Sequence, residues 1–203
     1  MGFFDSIKNS ATSAIKSKTA QAVNNAAIDA VNNVGRGKNE SQTFTFAAIP
    51  ASVAEFQALP EATLDSAFKT TALTLVALMN YENNKQAMYE MLDFLNGPDE
   101  VSGYTKQFLD DRLNGKAYKV SSFFAGATVA NNYTPSTPYS ITVSANPYSF
   151  DEENWATMYV TSAGADAPRP IKLRKKPSTG QWFVSDIQCL SDIRVPAAAD
   201  PWA

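Results

Sequence analysis

No histidine occurs among the 203 residues. Histidine titrates near neutral pH and is the commonest metal ligand, so its absence removes Ser-His-Asp and Cys-His nucleophile systems and most zinc sites. Carboxylate, lysine and tyrosine chemistry remain open. The single cysteine, Cys189, permits no internal disulfide and no cysteine metal cluster. With Phe183, Ile187 and Leu190 around it in sequence, it reads as a small buried apolar group. No apolar run approaches the ~18 uninterrupted residues of a membrane span. The densest, over 72–79, suits a buried helix. The opening MGFFDSIKNS lacks the apolar run of a secretory signal, and the expected compartment is the cytoplasm. Nine glycines are scattered as caps and turns, with no phosphate-cradling motif. No cofactor and no metal are expected.

Charge of either sign is scarce too. The net charge is −3, so no global field draws the chain to nucleic acid, and none is expected as a partner. The distribution is uneven. Residues 1–38 carry five basic side chains (Lys8, Lys16, Lys18, Arg36, Lys38) against Asp5 and Asp29. Residues 39–203 carry twelve basic against eighteen acidic. A mildly basic arm and linker, 1–38, is expected to precede a single acidic α+β domain, 39–203.

What is plentiful is core material: three tryptophans, eight tyrosines and twelve phenylalanines. In the arm, Phe3, Phe4, Ile7, Ala11, Ala14 and Ile15 fall within one arc at 100° per residue, which predicts an amphipathic helix. Its interaction residues are Phe3, Phe4, Ile7 and Ile15. The partner expected is a protein, either a second copy or another chain. A membrane surface taking the phenylalanines into lipid is the alternative, and disorder until bound is a third reading.

In the body, 42–46 alternates as a short strand. Ser52-Val-Ala-Glu55 is a capping box, and Thr63 is a candidate cap for a central buried helix through Leu64, Phe68, Leu75, Val76 and Met79. A third helix puts Met88, Met91, Leu92 and Leu95 on one face. A fourth puts Val101, Tyr104 and Phe108 on one side and closes at Asn114-Gly115. From Lys116 the period changes to two: 118–124, 139–145, 155–161, 169–175 and 181–187 read as strands. Helices first and strands second predict an α+β fold, a helical layer on a curved antiparallel sheet of about five strands. Trp202 is expected to anchor the proline-rich tail against the body.

Two constellations carry chemistry. Tyr118, Tyr139, Tyr159, Trp182 and Asp186 are the candidate lining of a ligand pocket between helices and sheet. Asp186 interrupts an apolar strand and is expected to be partly buried, with Arg169, Arg174 or Arg194 as partner. Arg169, Lys172, Arg174 and Lys176 form a candidate ridge for an anion or acidic partner. A solvated outer face explains the same alternation, with Ile171 and Leu173 turned inward.

The C-terminal half carries more specific phrases: Phe124-Ala-Gly-Ala-Thr128, Asn132-Tyr-Thr-Pro135, Gly164-Ala-Asp-Ala-Pro-Arg-Pro170, Gln181-Trp-Phe183, Asp192-Ile-Arg194 and Asp200-Pro-Trp-Ala203. Over roughly 45–203 the chain resembles an uncharacterised bacterial family, a domain of unknown function. That resemblance implies no activity and no catalytic residue. The order of elements, with Gly180-Gln-Trp182 on the return strand, is also similar to cystatin-like and nuclear-transport-factor-2-like α+β rolls. Such rolls host enzymes and non-enzymes alike. The leading functional expectation is a non-catalytic binding or scaffolding protein with no catalytic residues, whose N-terminal helix mediates self-association or docking. The alternatives are a small-molecule or peptide-binding roll and a carboxylate-dependent enzyme.

Overall fold

The computed structural model describes residues 38–202. Five strands form one open antiparallel sheet in sequence order: β1 (Glu40–Phe46), β2 (Tyr139–Ala145), β3 (Trp155–Val160), β4 (Arg169–Lys175) and β5 (Trp182–Ile187). Five α-helices lie between β1 and β2: α1 (Val53–Gln57), α2 (Ala67–Leu78), α3 (Lys85–Asn96), α4 (Gly103–Leu113) and α5 (Tyr118–Ser121). The class is α+β.

Alternation builds the sheet. On β2, β3 and β4 the buried residues are Ile141, Val143 and Ala145; Ala156, Met158 and Val160; Ile171 and Leu173. The intervening residues face solvent or are half-buried, so one face is dry and the other wet. Helix α2 lies on the dry face, and eleven of its twelve residues are buried. Its threonines survive there because each hydroxyl bonds back along the helix. Thr71 Oγ1 donates to Ala67 O at 2.8 Å, and Thr74 Oγ1 donates to Thr70 O at 2.8 Å. Met88, Met91, Leu92 and Leu95 of α3 complete the core. Each such side chain stabilises the fold by about 1.5–3 kcal/mol through burial.

Capping at α1 follows the sequence. Ser52 Oγ accepts from Glu55 N, and Glu55 Oε2 accepts from Ala51 N. Other expectations are corrected. Thr63 does not cap α2. It ends a 3-10 turn (Pro60–Thr63), Leu64 takes a left-handed φ of 55°, and Ser66 caps instead by accepting from Phe68 N. Residues 118–124 are not a strand. Ser122 N donates to Tyr118 O and Phe123 N to Val120 O, giving α5 and a following turn. The buried positions Val120, Phe123 and Phe124 fit helical spacing as well as they fit alternation, and the local bonds decide. On α4 the buried pair is Leu109 and Leu113, while Tyr104 is 81% exposed. Trp202 is 93% exposed and anchors nothing.

Candidate functional site

The β4–β5 hairpin turns at Pro177–Gly180. Gly180 N donates to Lys176 O at 2.8 Å, and Gly180 carries a φ of 74° that favours glycine. Alternation then turns Lys172 and Arg174 out to the wet face. On β5 the ladder is irregular. Val184 pairs with Leu173 and Asp186 with Lys172, so Ser185 is an extra residue. This bulge exposes both Ser185 and Asp186. Asp186 is therefore not buried and pairs with none of Arg169, Arg174 and Arg194. Its Oδ2 accepts from Gln188 Nε2 at 2.6 Å.

A groove follows β5. Its larger depression has a volume of about 690 Å³ and is bounded by Ser185–Gln188, by Trp155 and Lys172 from the sheet, and by Tyr104, Thr105 and Phe108 of α4. A second depression of about 430 Å³ adjoins it, with Arg174, Lys175 and Lys176 on one side and Asn96, Pro98 and Asp99 on the other. Asn96, Trp155, Val184 and Ser185 line both. The helical wall is fixed by local bonds. Val101 N donates to Asp93 Oδ1 at 2.6 Å, Asn96 Nδ2 donates to Asp99 O at 2.9 Å, and Ser102 Oγ caps α4 by accepting from Thr105 N at 3.1 Å. Gly97, with φ 82°, lies against Phe183, where an added Cβ would come within 2.8 Å of the ring.

The groove holds four cations, Lys172, Arg174, Lys175 and Lys176, against two carboxylates, Asp99 and Asp186. The ion pairs of the described residues are Lys69–Asp65, Lys85–Asp110, Arg169–Asp192 and Arg194–Asp166, so none of the four groove cations is paired there. Arg174 lies over the Trp155 ring at 5.5 Å and Lys175 over the Trp182 ring at 5.7 Å. Chemically the groove is polar and cationic. It offers positive charge, one indole, hydroxyls and side-chain amides.

Of the expected pocket residues only Asp186 lines this groove. Tyr118 stacks on Tyr133 at 5.7 Å, and Tyr139 meets Phe124 edge-on at 5.9 Å. Tyr159 sits on β3 opposite Ser144 and Pro170, and Trp182 packs edge-on with Phe150. Of the expected ridge, Lys172, Arg174 and Lys176 line the groove. Arg169 turns away, donating through Nη2 to Asp192 O at 2.8 Å. Phe3, Phe4, Ile7 and Ile15 lie outside the described residues. Sequence reasoning missed Trp155, Ser185, Gln188 and the wall from Asn96 to Phe108. Alternation with Ala156 and Met158 already placed Trp155 on the wet face. Its register against Arg174 was not readable across the connection 161–168.

Two polar clusters lie elsewhere. Asp110 Oδ1 accepts from Lys85 Nζ at 2.5 Å and from the hydroxyls of Tyr81 and Tyr89, which fastens α4 to α3. Lys119 is buried, its Nζ donates to Leu190 O at 3.1 Å, and desolvation lowers its pKa. Among the described residues no group of three or more Asp, Glu, Cys or His stands ready to hold a metal, and no helix is long and apolar enough to cross a membrane.

A helical layer on one face of an open antiparallel meander, with a groove beside the last strand, defines an α+β domain. Residues 48–197 match the family described as Domain of unknown function (DUF6935), and the chain belongs to that family. No curated protein and no solved structure matches it.

Proposed function

We propose that this is a non-catalytic binding or scaffolding protein of the bacterial cytoplasm. The body recognises a partner through the β5 groove, and the helix of the arm mediates self-association or docking. The observation that supports this most is the groove itself: unpaired cations and an indole set against a fixed helical wall. Asp186 is the one carboxylate among the residues lining the larger depression, so a pair of carboxylates dividing acid and base roles has no second member there. An enzyme reading through Asp186 is correspondingly disfavoured.

The test is a fragment screen on the full-length protein, read by amide chemical shifts. Hits are expected to move Tyr104–Phe108 and Ser185–Gln188 together. Hits that bind only elsewhere contradict the reading.

A further inference from the structure

β5 is the last strand of the sheet, so among the described residues one of its edges has no strand beside it. Its first residue is bonded on that side, and Gly97 lies against the ring of its second, Phe183. Trp182 N donates to Leu64 O at 2.8 Å, and Trp182 O accepts from Thr70 Oγ1 at 3.0 Å. Among the described residues no further backbone group of β5 bonds away from the sheet. The groove runs along this open stretch, from Phe183 to Gln188. The five strand residues from Phe183 to Ile187 span roughly 16–17 Å, the reach of a short extended peptide.

We infer that the groove takes an extended acidic segment of a partner protein, which pairs its backbone with the open edge of β5. The inference rests on the binding reading above and names the partner's chemistry. Strand addition supplies main-chain hydrogen bonds for affinity, and side-chain pockets supply specificity. The specificity here is electrostatic. Four unpaired cations face the groove, although the body as a whole carries more acids than bases. Lys172 and Arg174 are on β4, one strand in from the edge, and both line the groove. An acidic segment answers that charge, and the neutral Tyr104 and Phe108 wall suits apolar residues between the acids. A nucleic acid fits less well. Arg174 already lies over one face of the Trp155 ring and competes there with a stacking base.

The test uses full-length protein and fluorescein-labelled Glu-Val-Glu-Val-Glu-Val, read by anisotropy. Binding is expected, weakening with added salt. Lys172→Glu with Arg174→Glu is expected to weaken it by about tenfold or more. Both side chains are exposed, so the double variant should melt like the parent. N-methylation of alternate peptide nitrogens is expected to cost about tenfold as well, since it removes strand donors. Thr142→Glu, on the wet face of β2, is expected to leave affinity unchanged. Equal binding by the methylated peptide or by a Gln-Val hexapeptide overturns the acidic strand while leaving a groove binder standing. An oligouridylate that displaces the peptide and is lost in the double variant also overturns it. No peptide binding, together with no fragment shifts in the groove, overturns both readings.

Discussion

Single residues show how polar groups on the helices find partners. Asp110 is the clearest case. The Lys85 ammonium, joined by the Tyr81 and Tyr89 hydroxyls, holds its carboxyl below the ordinary value of 3.8. A lowered carboxyl stabilises the fold above the unfolded-state value, and that contribution is lost as pH falls through the folded-state value. Both side chains are more than a third exposed, so solvent screening limits the pair to about 0.5–1 kcal/mol. Asp110→Asn is therefore expected to lower the melting temperature slightly at neutral pH, with the difference closing in acid below the aspartate range. An offset that persists unchanged into strong acid in a series of melts contradicts this. Cys189 gives a second check. Burial pushes its thiol up to about 12, so the native protein should resist a disulfide reagent and react only on unfolding. Rapid labelling of folded protein contradicts that placement.

At the scale of elements, the glycine that ends α3 matters more than its composition suggests. Gly97→Ala adds a Cβ against Phe183 at a left-handed φ and is expected to destabilise by about 1–3 kcal/mol, measured in urea. Unchanged stability would mean that the turn does not press on β5 as described. Leu75→Ala, in the fully buried centre of α2, is expected to cost about 2–5 kcal/mol. The last four strands were legible because each alternates and is bounded by turn residues. The short helix α5 was not, because Val120, Phe123 and Phe124 satisfy both periods and only backbone bonds separate them. The groove was half legible. Lys172 and Arg174 followed from period two, but Ser185 and Asp186 depend on a bulge that no local pattern announces. The helical wall depends on α4 facing β5 across the groove, although the two segments lie about eighty residues apart in sequence.

At the scale of the whole molecule, charge is divided between parts. Residues 1–38 are basic, the body is acidic, and the cations of the groove stand against that background. Self-association through the arm predicts that Phe3→Ser, Phe4→Ser and Ile7→Ser together reduce the mass seen by light scattering; an unchanged mass removes that role. The body's role turns on the open edge of β5. Amide hydrogen exchange of full-length protein, with and without the acidic hexapeptide, tests it most directly. The account expects slowed exchange at amides within Val184–Gln188 on binding, with β1 unchanged. Bound peptide that leaves β5 exchange untouched and protects another region would contradict it.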